Sequence, residues 1–323
     1  MGGRAVVGID IGGTKTLSAV VDNQGRVLAR HRIETPQQGP EAFVAVLAQE
    51  LGQLLLQAGL RREDVAGVGV GAPGPLDPRT GVVFEPPNLT GWRDVPLQDM
   101  LQRLTGLPAH VENDANAAAL GEVWIGAGVG ARDLIYMTVS TGIGGGLIFD
   151  GDLYHGVSGY AGEIGHMTVE PEGPICPCGR RGHLEAVAAG PAIARMAGEA
   201  VRTGRTTRLS AFPPEALTAA AVAEAAMAGD TVAREVYERA ARYIGLALAS
   251  LINVLNPELV IIGGGVSKVG DLLFGPVRRV VRERAYERTA DVAKIVPAAL
   301  GDDVGVIGAA AVVYRHLGGK VSG

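Results

Sequence analysis

The sequence has little cysteine: two residues, Cys176 and Cys178, with only Pro177 between them. That spacing is too tight for an ordinary disulfide, so a disulfide-stapled scaffold is excluded and metal ligation is the better use of the pair. Aromatic residues make up only 4% of the chain, so the core must be built from Ala, Val, Leu and Ile. Lysine occurs only as Lys15, Lys268, Lys294 and Lys320, and the formal net charge is −5. A nucleic-acid-binding surface needs a basic patch or stripe and is not expected here. No apolar run reaches the roughly 20 residues that span a bilayer. The longest apolar helix pattern, Tyr243–Leu255, is too short. The first apolar segment, Ala5–Ile11, runs into Gly12-Gly13-Thr14-Lys15 without a signal-cleavage pattern. The expectation is a cytoplasmic protein with no membrane partner.

Glycine is what the chain has in quantity: 48 of 323 residues. The glycines fall in short clusters between apolar runs, which points to tight turns and to backbone that approaches a ligand closely. The length suits two domains of ordinary size. Residues 4–34 read as a three-strand meander: Arg4–Ile11, Lys15–Asp22 and Val27–Ile33. A helix over Glu41–Gln57, a buried strand Val65–Gly71, a helix Leu97–Leu104, a strand Pro108–Val111 and a helix from Asp114 follow. The series then restarts with a strand Leu134–Ser140, a glycine turn Thr141–Gly146 and a strand Gly146–Phe149. Helices are expected at Pro191–Val201, Thr218–Ala228 and Thr231–Leu255, with Asp230 as the N-cap of the last and Asn256-Pro257 as its stop. A strand Leu259–Ile262, a strand near Ile295 and a helix near Val304–Leu317 finish the chain. The same order of elements occurs twice. This predicts two similar α/β domains with a cleft between them, a common place for a ligand.

Three glycine loops are candidates for phosphate or nucleotide. Asp10-Ile11-Gly12-Gly13-Thr14-Lys15-Thr16 is not a Walker loop, because Thr14 separates Gly13 from Lys15 and a strand follows. It is either a plain hairpin turn or a turn whose bare N–H groups face an anion. In the second case Thr14 adds a hydroxyl, Lys15 a positive charge, and Asp10 a carboxylate suited to Mg²⁺ or its water shell. Ser140-Thr141-Gly142-Ile143-Gly144-Gly145-Gly146 stands at the matching place in the second half. Two hydroxyl-bearing hairpins in equivalent positions are hard to explain as turns alone. Gly263-Gly264-Gly265-Val266, after a buried strand, leaves room for a flat purine or is an ordinary strand end. Gly69-Val70-Gly71-Ala72-Pro73-Gly74 fits a dinucleotide pattern, but Pro75 follows at once and no helix opens, so that reading is rejected.

Glu112-Asn113-Asp114 lies between a short strand and a helix of small residues. Asp114 is either that helix's N-cap or a carboxylate placed at a strand end to accept a hydroxyl proton. Further on, His166, Cys176, Cys178 and His183 make a closed tetrahedral zinc set. A structural zinc there would pin a loop carrying Glu163, His166 and Glu185.

These residues together resemble the ROK family of bacterial sugar kinases and repressors. The resemblance runs through Asp10-Ile-Gly-Gly-Thr-Lys15, Gly71-Ala-Pro-Gly74, Pro87-Asn88-Leu89, Glu112-Asn-Asp114, Ser140 to Gly146, Gly162-Glu-Ile-Gly-His166, Cys176 to Glu185, and Asn256-Pro257 with Gly263-Gly-Gly265. It implies an α/β fold of two similar actin-like, hexokinase-like (ribonuclease H-like) ATPase domains around a central cleft. The first would take residues 1–116 with 305–323, its C-terminal helix packed back on it, and the second residues 117–304. It implies an ATP- and Mg²⁺-dependent hexose kinase with Asp114 as catalytic base. Gly74, Asn88, Asn113, Asp114, Glu163, His166 and Glu185 would hold the sugar. Gly12, Gly13, Thr14, Lys15, Thr141, Gly142, Gly144, Gly264 and Gly265 would hold the nucleotide, with magnesium near Asp10. His166 would bind zinc through one ring nitrogen and the sugar through the other. His183 stands where the family usually has a third zinc cysteine. The Pro87-Asn88-Leu89 loop with Gly91-Trp92 is similar to the glucokinase-type loop, which implies glucose as acceptor; fructose, mannose or an N-acetylhexosamine is the alternative. A sugar-sensing repressor of this family would carry a helix-turn-helix domain ahead of the kinase-like part, whereas the first strand here begins by Arg4. The resemblance also implies a homo-oligomer, a dimer or a dimer of dimers.

Overall fold

The computed structural model describes residues 4–318, which divide into two compact units. Within the described residues, the first unit takes 4–132, 146–162 and 299–318, and the second takes 133–145 and 163–298. The first unit therefore runs past the expected boundary at residue 116. The helix from Asp114 is unbroken to Ile125 and lies wholly within that unit. The outermost residues of the expected first domain, 1–3 and 319–323, lie outside the described residues.

The first unit begins with β1 (Ala5–Ile11), β2 (Lys15–Val21), β3 (Val27–Glu34) and α1 (Pro40–Gln57). Next come β4 (Val65–Ala72) and a small three-stranded sheet of β5 (Leu76–Asp77), β6 (Val82–Val83) and β7 (Val95–Pro96). Then follow α2 (Leu97–Thr105), β8 (Ala109–Asn113) and α3 (Asp114–Ile125). The main sheet has the order β3-β2-β1-β4-β8, antiparallel over the β1–β3 meander and parallel from β1 to β8. Strand β4 opens no helix, in keeping with the rejected dinucleotide pattern.

The second series is β9 (Leu134–Val139), β10 (Ile143–Phe149), β11 (Asp152–Leu153), α4 (Leu184–Ala188), α5 (Gly190–Arg202), α6 (Ala219–Met227) and α7 (Thr231–Leu255). It continues through β12 (Leu259–Gly263), α8 (Asp271–Arg284), α9 (Glu287–Val292), β13 (Lys294–Pro297) and α10 (Val304–His316). The sheet order is β11-β10-β9-β12-β13. This is the first order repeated strand for strand, so the duplication expected from the sequence is present. Asp230 caps α7 through the Ala233 N–H at 2.9 Å, and Asn256 ends it in the left-handed conformation, as expected.

Two local expectations change. The glycine turn expected over Thr141–Gly146 ends earlier, because β10 starts at Ile143 and Gly144–Gly146 are strand. A Cβ on Gly146 would stand 2.7 Å from Ala119 Cβ and 3.0 Å from Ala115 O, so a bare strand lets α3 approach. Helix α8 had no counterpart in the sequence reading, since Gly275-Pro276 inside it reads as a break.

Close packing explains other glycines. A Cβ on Gly8 would lie 2.0 Å from Val306 O, and one on Gly69 1.8 Å from Ala309 O. Helix α10 thus presses its backbone onto β1 and β4. The aromatic shortage is met by placement: Trp92 is buried and packs edge-on against Phe43 of α1 at 5.4 Å between ring centroids. With buried Leu89, it anchors the loop that presents Asn88.

Candidate active site

The first hairpin joins β1 to β2. Gly12 N–H donates to Lys15 O at 3.0 Å and closes the turn. Its carbonyls are held from outside: Thr35 Oγ1 donates to Gly12 O at 2.7 Å and Gln37 Nε2 to Gly13 O at 3.1 Å. Thr14 and Lys15 are exposed at the tip. A Cβ on Gly13 would meet Asn88 Cβ and O at 2.8 Å, so the hairpin and the Asn88 loop pack backbone to backbone. Asp10, at the end of β1, has its carboxylate against Gly305 in the first turn of α10. Burial, then the charge of Asp114, pushes the Asp10 carboxyl up to about 6. A cation beside the pair would favour its ionised form, so the donor chemistry fits Mg²⁺.

The end of β8 carries Glu112-Asn113-Asp114. Asn113 is the N-cap of α3: its Oδ1 accepts the N–H groups of Ala115 at 3.0 Å and Asn116 at 3.2 Å. Asp114 is the first helical residue and exposed, and its Oδ1 accepts Ala115 N–H at 2.8 Å. The cap role that competed with the base role thus falls to its neighbour. A Cβ on Gly74 would lie 3.6 Å from Asn113 Nδ2, which brings Gly74 to the same strand end. Asp10, Gly12–Lys15, Gly74, Asn88, Asn113 and Asp114 all belong to the first unit.

In the second unit, Ser140 N–H donates to Gly142 O at 2.8 Å and turns the second hairpin. Gly142 packs against Glu185, whose Oε2 accepts Ile143 N–H at 2.9 Å. Gly264 has φ +85°, and a Cβ there would lie 2.4 Å from Val139 O, so only glycine fits. Thr141 and Gly265 line a cavity of about 920 Å³, together with Pro191, Leu217, Val266 and Lys268. The cavity wall contributed by α5, α6 and the segment before it was not foreseen; small and apolar residues there read only as helix.

The metal set is assembled. One ligand atom each from His166, Cys176, Cys178 and His183 lies within 4.8 Å of all the others. Cys178 Sγ is 3.3 Å from His183 Nδ1, and Cys176 Sγ is 3.8 Å from His166 Nδ1. The knuckle is closed by Cys176 N–H to Arg180 O at 2.7 Å and Gly179 N–H to Cys176 O at 2.8 Å. The two thiols form no disulfide. Burial foremost holds His183 below the usual imidazole range, with help from His166 and Arg180, and neutral imidazole is the ligating form. Burial foremost also pushes the Cys176 thiol up to about 11, a cost a divalent metal would reverse. These residues fit zinc. His166 turns Nδ1 to the cysteines and Nε2 toward Glu163, 3.7 Å from its Oε2.

The ROK family profile matches residues 6–316. The chain belongs to the ROK family. It is 44% identical over 312 residues to a glucokinase from Halalkalibacterium halodurans, covering 95% of this chain and 94% of that protein. The structure of a ROK family glucokinase from Streptomyces griseus in complex with glucose and AMPPNP is 36% identical, with TM-score 0.83 over 96% of this chain and 99% of that one. A ROK hexokinase from Thermus thermophilus is 37% identical, with TM-score 0.80 over 97% and 99%. The repeated sheet order and these likenesses give the two-domain actin-like ATPase fold.

One residue at this site escaped the sequence reading. His155 places Nε2 2.7 Å from Glu112 Oε2. It stands 43 positions from Glu112 and outside every motif, so spacing gives no signal for it.

Proposed function

We propose that this chain transfers the γ-phosphoryl group of ATP to the 6-hydroxyl of glucose. The observation that carries the reading is Asp114, exposed at the head of α3 with capping taken over by Asn113, in a chain 44% identical to a glucokinase. Asp114 accepts the O6 proton as O6 bonds to phosphorus; the bond from phosphorus to the β,γ-bridging oxygen breaks and ADP leaves. Gly12, Gly13, Thr14 and Lys15 hold phosphate oxygens, and Asp10 holds the Mg²⁺ that accompanies ATP. That ion supplies charge neutralisation on the transferring phosphoryl group. Asn88, Asn113 and Gly74 hold sugar hydroxyls on the first unit.

On the second unit, Thr141, Gly142 and Gly144 bind phosphate. Gly265, with Gly264 just before it, borders the cavity that takes the nucleoside, whose volume lies in the range of small-molecule sites. Glu163, His166 and Glu185 hold sugar hydroxyls. His166, Cys176, Cys178 and His183 hold a structural zinc that fixes the loop.

The reading places the protein in the cytoplasm, at the entry of glucose into glycolysis, as a homo-oligomer, most simply a C₂ dimer, with no nucleic-acid partner. No helix among the described residues is long and apolar enough to cross a membrane. A coupled assay with ATP across glucose, fructose, mannose and N-acetylhexosamines tests the function. Glucose is expected to give the highest kcat/KM. Sugar binding without turnover of any hexose would refute a kinase and favour a sensor.

A further inference from the structure

Glu112 is a buried carboxylate, 5% exposed, two residues before Asp114. A carboxylate in such a place needs hydrogen-bond donors. Glu112 has three. Its Oε1 accepts the Asn113 N–H at 2.9 Å and Asn116 Nδ2 at 3.0 Å. Its Oε2 faces His155 Nε2 at 2.7 Å. An ionised carboxylate has no proton to give, so Nε2 carries the proton of this bond.

These bonds fall on the groups that set Asp114. Asn113 N–H belongs to the residue just before it, whose Oδ1 caps α3. Asn116 is in the first turn of α3, 2% exposed, and its N–H is one of the capped donors. Glu112 thus holds both sides of the turn on which Asp114 sits, and His155 holds Glu112. His155 comes from the segment after β11, in the same compact unit. That segment is closed on itself by Ala161 N–H donating to His155 O at 3.1 Å.

We propose that His155 is a positioning residue for phosphoryl transfer: through its hydrogen bond to Glu112 it holds the Asn113–Asp114 turn in the orientation in which Asp114 takes the hydroxyl proton. Without the ring donor, the buried Oε2 loses its partner, and the carboxylate turns away from Asn113 N–H and Asn116 to find another. Asp114 then shifts by a fraction of an ångström to an ångström, a displacement that costs about 10–10² in rate when it separates reacting groups. The inference rests on Asp114 being the base, as read under Proposed function.

The test compares His155→Leu, which removes the donor, with His155→Gln, whose Nε2–H₂ can replace the ring Nε2–H. His155→Leu is expected to lower kcat for glucose at least tenfold while KM for ATP stays within about twofold. His155→Gln is expected to restore most of that loss. Melting temperatures of both variants are measured alongside. If both lower the melting temperature and leave kcat unchanged, His155 only supports the fold and the proposal is overturned. If His155→Gln is as slow as His155→Leu, the hydrogen bond is not what matters, and the proposal is again overturned.

A second measurement does not depend on turnover. In ¹⁵N-histidine-labelled wild-type protein, the His155 ring, assigned by its loss in His155→Gln, is expected to be protonated at Nε2. Its Nε2 signal is expected to move on Glu112→Gln. A His155 ring insensitive to Glu112→Gln overturns the pairing. A wild-type protein that phosphorylates no hexose would overturn the kinase reading, and the labelled ring would still decide the pairing.

Discussion

The Glu185 carboxylate and the Ile143 N–H are joined at 2.9 Å, which ties the second hairpin to the first turn of α4. The other oxygen of Glu185 lies 3.7 Å from Cys176 Sγ. One side chain therefore braces both the hairpin and the metal loop. Glu185→Ala removes a charge-assisted bond worth about 1.5–3 kcal/mol. We expect KM for ATP to rise about tenfold or more, with KM for glucose rising too. Unchanged KM values in steady-state kinetics would contradict this role.

Zinc should accompany the protein. Purification without added metal is expected to yield about one zinc per chain, and chelation is expected to lower the melting temperature. Replacing Cys176 by Ala should abolish stoichiometric binding. A metal-free protein of full activity and unchanged melting temperature would remove zinc from the account.

The tip of the first hairpin leaves no room for a side chain. A Cβ on Gly13 would stand 2.8 Å from Asn88 Cβ and O. Gly13→Val must therefore push apart the phosphate hairpin and the Asn88 loop, not the hairpin alone. Both KM for ATP and KM for glucose are expected to rise. A rise confined to ATP would mean that the Asn88 loop does not bind sugar.

His110 is half-buried and stacked on His316, with ring centroids 3.8 Å apart. Burial, then the His316 charge, pulls His110 down to about 4. Between pH 6.5 and 4 the unfolded chain takes up this proton and the folded chain does not, so stability rises with pH there. Its contribution is complete above the unfolded value and is lost as pH falls toward 4, at a slope of up to about 1.4 kcal/mol per pH unit. His110→Phe should flatten that part of the stability profile measured by denaturant unfolding. An unaltered slope would contradict the assignment.

Elements with strong local grammar were legible in the sequence. The β1–β3 meander opens with two largely apolar strands and is split by turn residues, and α7 carries its cap and its stop in Asp230 and Asn256-Pro257. The cluster of His166, Cys176, Cys178 and His183 was legible because Cys and His at short spacing have few other uses. Helix α8 was not, because Gly275-Pro276 breaks the pattern that tertiary packing then overrides. The division of labour between Asn113 and Asp114 was not either. Both residue types cap helices, and only the geometry shows which one does. His155 and the cavity wall were out of reach, since they meet the site only through the fold.

The central claim is that Asp114 is the base. Asp114→Asn keeps the shape of the side chain and removes its capacity to take a proton. The decisive measurement is equilibrium glucose binding by this variant beside its turnover with ATP. The account predicts a glucose Kd within about tenfold of wild type and a kcat lower by roughly 10² or more, the scale of losing a general base. A kcat within about threefold of wild type would contradict it.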